Sequence, residues 1–234
     1  MLVLLHSDVY VDSVINYIMP FVIAAYLKMS DRVKATIIGH SYIRRLHEKF
    51  EDGTFVPRGP PELFYNFVGV GGARVCPAGC YKNLSRWIPE VEYRRPDLVF
   101  LHCGENDIGQ EGIDTFDIVE HLIKIIEEIV AKCHPRILIV SQLTDFPAHW
   151  RYGRAAKAIT ERLLHYAAVQ KYKIQGTRLK IWIHTIGIND IHRGQYFDKG
   201  NVHLNQRGLW KYYKSVTAAV GRYARVILEG RKFE

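Results

Sequence analysis

Four cysteines in 234 residues are too few to staple a fold, and their spacings match no common zinc-ligand pattern. They read as free thiols. A membrane span is also lacking. The mostly apolar stretch at 14–27 holds Asn16 and Pro20, falls short of the roughly 17 to 25 residues a span requires, and has no Lys or Arg before Lys28. A packed or peripheral helix is expected there, with no stable membrane insertion and a cytoplasmic location. No internal repeat, low-complexity tract or Gly/Ser linker marks a second globular domain. No run of five or more basic residues is present either; Arg44 with Arg45, Arg94 with Arg95, Lys171 with Lys173 and Arg231 with Lys232 are scattered groups.

What is there is an ordinary globular composition, 48% hydrophobic and 24% charged, which excludes disordered, collagen-like and coiled-coil classes. The length suits one domain of about 200 residues. With 32 Lys+Arg against 24 Asp+Glu the formal charge is +8, which fits either a solvated surface or a face for anionic partners, nucleic acid among them.

From Val33 onward short β-branched runs alternate with helical patterns, as in a parallel sheet covered by helices on both faces. The expected strands are 35–39, 64–70, 98–103, 137–141 and 179–185, apolar throughout as buried parallel strands are. Val119, Leu122, Ile123, Ile126, Val130 and Cys133 share one helical stripe opposite Glu120, Lys124, Glu127, Glu128 and Lys132. Tyr152, Ala156, Ile159, Leu163 and Tyr166 repeat the pattern, as do Leu209, Tyr213, Val216, Val220 and Tyr223. The expectation is a three-layer αβα sandwich with a five-stranded, mainly parallel sheet. In such sheets functional residues gather beyond the carboxyl ends of the strands.

Four strand exits or helix entries carry candidate chemistry. The first strand ends in Gly39-His40-Ser41, where a serine at a strand-to-helix turn is either a helix cap or an exposed hydroxyl near N–H groups that could face an anion. The second ends in Gly69-Val70-Gly71-Gly72, a close-approach backbone or simply a tight turn; Arg74 stands where a dinucleotide fingerprint needs glycine. After the third comes Gly104-Glu105-Asn106-Asp107, whose asparagine amide could stabilise an oxyanion or form a turn. A second Gly-x-Asn-Asp lies at 187–190, so the order of strands must decide between the copies. Last, His203 lies in a loop entering the final helix, where an imidazole can serve as a general base. His184 and His192 have no carboxylate at ligand spacing, and Cys76 with Cys80 lacks a second pair, so structural roles are expected for them. Trp87, Trp150, Trp182 and Trp210 are expected to pack in the core and between layers.

Together and in this order the four pieces resemble the SGNH (GDSL-type) hydrolase superfamily, from Val33 to the C-terminal helix. Residues 37–41 are similar to its nucleophile block, 69–72 to the glycine block, 104–107 to the asparagine block, and 202–205 with Gly208 to the histidine block. The resemblance implies a flavodoxin-like fold and a serine mechanism on esters that needs no metal or cofactor. Ser41 is then the nucleophile and His203 the base, with an oxyanion hole from the N–H groups of Ser41 and Gly72 and the side chain of Asn106. It divides the chain into an extension at 1–32, the hydrolase-like domain at 33–229 and a tail at 230–234. Two departures stand out. His40 precedes the serine where the family usually has aspartate, and Gly200 occupies the place of the acid three residues before the histidine. Asp198 and Asn201 are the nearest substitutes; Asp198 serves if the loop bulges by two residues, or a backbone carbonyl holds the histidine and leaves a Ser–His dyad.

The expected activity is hydrolysis of small or medium acyl esters, such as O-acetyl groups on a carbohydrate. A binding-class alternative is a weakened pseudo-hydrolase whose basic surface takes nucleic acid or another polyanion; similar domains occur in retroelement-encoded proteins of animals. A third is a phosphate or nucleotide binder at 69–72, although no lysine-bearing phosphate loop accompanies those glycines.

Overall fold

The computed structural model describes residues 32–76, 80–144, 150–170, 173–184, 193–200 and 202–231. The apolar stretch at 14–27, the second Gly-x-Asn-Asp copy, His192 and Asn201 lie outside them. The chain divides into two compact units, Met1–Arg32 and Val33–Glu234, and the fold is that of the second.

Its strands are β1 (Val33–Gly39), β2 (Leu63–Gly69), β3 (Leu98–His102), β4 (Ile137–Ser141), β5 (Lys173–Ile174) and β6 (Thr177–Trp182). Its helices are α1 (Ser41–Glu51), α2 (Ile88–Tyr93), α3 (Thr115–Cys133), α4 (Trp150–Val169) and α5 (Gln206–Arg231). The sheet order is β2-β1-β3-β4-β6-β5. The five strands foreseen from the sequence pair in parallel, and the two-residue β5 adds an antiparallel edge. That sixth strand is too short for any periodicity to announce it. The last parallel strand begins at Thr177 and ends at Trp182, earlier than the expected 179–185.

Because side chains alternate across a strand, each strand feeds two cores. Ala35, Ile37, Leu98, Phe100, Ile137 and Ile139 face α1 and α5. Ile38, Val99, Leu101, Leu138 and Val140 face α3 and α4. Full burial of each such side chain contributes roughly 1.5–3 kcal/mol of transfer free energy, which is why strands apolar on both faces settle in the middle of the sandwich. On α3 the buried stripe is Ile118, Val119, Leu122, Ile125, Ile126, Ile129 and Val130, with Ile123 and Cys133 only partly covered. Asp114 starts that helix with a capping box to Asp117. Two tryptophans depart from expectation: Trp87 and Trp210 are 38% and 43% exposed, and Lys214 Nζ lies 3.5 Å from the Trp210 ring centre.

Strand order fixes where function can sit. β1 is flanked by β2 and β3, so the tips that carry the serine, glycine and asparagine blocks are neighbours, with Gly39 opposite both Gly69 and His102.

Candidate active site

Ser41 is the first residue of α1, and the preceding His40 is its N-cap: the His40 side chain accepts from the Tyr42 amide. The cap reading of Ser41 therefore gives way. Its hydroxyl is left to other partners, at 7% exposure. Gly69 is what lets α1 start so close to the sheet, since a Cβ there would lie 2.3 Å from the Arg44 amide nitrogen. Beyond it the chain turns through Gly72, whose φ of 70° is left-handed.

The glycine turn and the asparagine block are tied together. Asn106 Nδ2 donates to Ala73 O at 2.8 Å, which occupies one of its two amide hydrogens. Asp107, wholly buried, accepts from the amides of Val75 and Cys76 at 2.9 Å each. Burial pushes the Asp107 carboxyl up to about 6, against the downward pull of those two amides.

The loop before α5 folds back on itself, Phe197 bridging Leu204 and Asp198 N donating to His203 O at 2.8 Å. It is pinned to α1 on either side of His203. Tyr42 Oη donates to Val202 O at 2.8 Å, and Arg45 Nη1 to Leu204 O at 2.9 Å. His203 is thereby carried to the α1 end where Ser41 stands, and it is exposed there. Partial burial and then the Arg45 charge lower its pKa, while Asp198 acts in the opposite sense. Among the described residues, however, the hydrogen-bond partner of Ser41 Oγ is His40 Nδ1 at 3.4 Å, and no hydrogen bond joins Ser41 to His203. Asp198 pairs with His203 through the backbone, and its Oδ1 accepts from the Gly200 amide at 3.1 Å.

Behind Ser41 lies a buried network that the sequence pattern does not single out. Glu105 is wholly buried; its Oε1 accepts from Thr144 N at 2.9 Å and Thr144 Oγ1 at 3.1 Å, and is in close contact with His102 Nε2. His102 Nδ1 in turn meets the hydroxyl of Tyr212 from α5. The other carboxylate oxygen, Oε2, stands 3.0 Å from His40 Nε2, out of line for a hydrogen bond yet within ion-pair range. Burial pushes the Glu105 carboxyl up, but the two imidazoles outweigh it and hold the group well below the usual carboxylate range. Burial pulls His102 down and pushes the Tyr212 phenol up. The proton count follows. Tyr212 donates to His102 Nδ1, and His102 Nε2–H donates to the Glu105 carboxylate. The signal for these residues was a titratable side chain at the tip of a fully apolar strand, His102 after Leu98 to Leu101, and Glu105 three residues on.

The ligand atoms of His40, His102 and Glu105 lie within 4.8 Å of one another, close enough to consider a metal ion. In the hydrogen-bonded form just derived, the nitrogen of His102 that faces Glu105 carries a proton, so a cation would have to displace it. His184 is structural: buried between Ser141 Oγ at 2.7 Å and Ser215 Oγ at 2.8 Å, it is pulled down to about 3 by burial. Cys76, Cys80, Cys103 and Cys133 are unpaired. Beside the asparagine block, Ile108, Gly109, Ile113, Ile118, Tyr152 and Ala155 help to line a cavity of about 590 Å³. No helix among the described residues is long and apolar enough to cross a membrane.

A parallel αβα sandwich with a serine, a glycine turn and an asparagine at adjacent strand tips defines a class of hydrolase fold. Residues 39–211 match the GDSL-like lipase/acylhydrolase family, and the chain belongs to it. Among solved structures it is similar to a serine-to-alanine mutant of an acetyl esterase with acetate ion, at TM-score 0.59 and 13% identity over 83% of this chain and 99% of that one. It is also similar to a carbohydrate esterase family 3 protein from Talaromyces cellulolyticus, at TM-score 0.55 and 14% identity over 82% and 98% of the two chains. A GDSL-like lipase from Bacteroides thetaiotaomicron gives TM-score 0.58 and 15% identity over 81% and 88%. No curated protein matches the sequence.

Proposed function

We propose that this chain is a serine ester hydrolase acting on small acyl esters, with O-acetyl groups on a carbohydrate as the substrate class. The observation that carries the reading is the first turn of α1. Its cap is supplied by His40, so the Ser41 hydroxyl is spared for chemistry beside the glycine turn and Asn106. In this reading Ser41 attacks the acyl carbonyl and forms an acyl-enzyme that water resolves. The oxyanion lies against the N–H groups of Ser41 and Gly72 and the second hydrogen of the Asn106 amide, each worth on the order of 3 kcal/mol in the serine protease precedent. Two imidazoles border the nucleophile as candidate bases: His203, at the family's position with Asp198 next to it, and His40. The catalytic domain spans 33–229, with 1–32 as an extension and 230–234 as a tail. Unpaired cysteines fit a cytoplasmic location. Nucleic-acid binding gains no support from relatives whose names are those of esterases and a lipase.

The reading predicts p-nitrophenyl acetate turnover and covalent labelling by a fluorophosphonate, both abolished in Ser41→Ala. A folded wild-type protein inert in both assays would end it.

A further inference from the structure

His40 Nδ1 meets both the Ser41 hydroxyl and the Tyr42 amide, each at 3.4 Å. A backbone N–H can only donate, so Nδ1 presents its lone pair to that side. The proton of the neutral ring therefore sits on Nε2, the nitrogen 3.0 Å from Glu105 Oε2. The Nδ1 lone pair is shared between the Tyr42 amide and the serine, and the Nε2–H stands within ion-pair distance of a carboxylate without hydrogen-bond alignment, a looser form of the general-base layout in which the two ring nitrogens have exchanged the places they hold in serine proteases.

We propose that His40, backed by Glu105, is the general base that takes the Ser41 proton. The inference rests on the reading of Ser41 as nucleophile and settles which imidazole serves it. The two departures from the family pattern then explain each other. The acid missing at Gly200 is replaced by Glu105, delivered through the histidine that stands where the family has aspartate. Glu105 suits that role because Thr144 and His102 hold it rigidly, and the oxygen it turns to His40 has no hydrogen-bond partner among the described residues. His203 is less well placed. It is exposed, and the carboxylate nearest it is turned to the Gly200 amide.

In the first step the Ser41 O–H bond breaks and its proton passes to His40 Nδ1. The Oγ electron pair bonds the acyl carbon, and the carbonyl π pair moves onto oxygen. Collapse returns that pair and expels the alkoxide, which leaves with the Nδ1 proton. Water then repeats the sequence on the acyl-enzyme, giving its proton to Nδ1, and Ser41 Oγ departs with it.

The test compares p-nitrophenyl acetate turnover and fluorophosphonate labelling rates of the full chain with those of His40→Asn, Glu105→Gln and His203→Asn. Asparagine at 40 keeps a cap acceptor for the Tyr42 amide while removing the base. His40→Asn is expected to lose about 10²–10⁴-fold in both rates, Glu105→Gln to lose at least tenfold, and His203→Asn to lose clearly less than His40→Asn. His203 is exposed, so its variant folds whatever the buried variants do. A loss in His203→Asn approaching that of Ser41→Ala overturns the proposal, as does a folded His40→Asn at wild-type rates. If the wild type itself fails to label, it is the reading of Ser41 that fails.

Discussion

Asp107 shows how a single side chain couples the site to pH. Its carboxylate holds the amides of Val75 and Cys76 and so fixes the far end of the glycine turn. Burial nevertheless raises it from the usual 3.8 to about 6. An acid whose folded pKa lies above its unfolded one is bound to its proton more tightly in the fold. Its stabilising contribution is complete below about pH 4 and is lost as pH rises through 6, at a limiting slope of about 1.4 kcal/mol per unit. Asp107→Asn removes that titration while the rest of the chain titrates as before. The stability of the wild type relative to the variant, measured by urea unfolding, is expected to decline between about pH 4 and pH 6 and to level off above that. A flat difference, or one that grows in favour of the wild type, contradicts the raised value.

At the scale of elements, the proposed nucleophile Ser41 is only as well placed as the α1 first turn, and that turn rests on Gly69. A methyl group there would press on backbone, 2.3 Å from the Arg44 nitrogen and 2.4 Å from its Cα, so α1 must move instead of a side chain. Gly69→Ala is expected to cost about 1–3 kcal/mol in thermal stability and to reduce esterase turnover more than it raises KM, because it displaces Ser41 relative to Asn106. An unchanged melting temperature with full turnover would show that α1 slides without cost.

The same elements show what the sequence could and could not convey. Continuous apolar strands and 3.6-residue stripes carry their own evidence, which is why 137–141 matched the observed β4 to the residue and α3 to α5 were foreseen. β5 and α2, of two and six residues, bury too little to leave a pattern. The strand tips were legible because Ser41, Gly72 and Asn106 are punctuation at the ends of runs. The Glu105 network was not. Its members His40, His102, Glu105, Thr144 and Tyr212 are drawn from four separate stretches of the chain, and only folding brings them together.

Over the whole molecule, the formal charge of +8 becomes informative once its placement near the site is known. A methyl group on Gly71 would lie 3.7 Å from the Arg44 guanidinium carbon, and one on Gly72 3.2 Å from Lys82 Nζ. Arg45 and Arg44 are also the cations that depress His203. The glycine turn and the histidine loop are therefore bordered by positive charge, on a molecule whose net field has the same sign and draws anions from solution. An ester carrying a carboxylate near the acyl group should be hydrolysed with a higher kcat/KM than its neutral isostere at low ionic strength. Salt shortens the Debye length to about 10 Å at 0.1 M and about 3 Å at 1 M, so the preference should shrink over that range while turnover of the neutral ester stays level. Lys82→Gln should remove part of the preference, chiefly through KM, because its ammonium lies beside the turn and has no part in the proposed proton transfer. Equal turnover of the two esters at low salt would mean that the local cations are screened by their own neighbours, as Arg44 is in part by Glu48 at 3.7 Å.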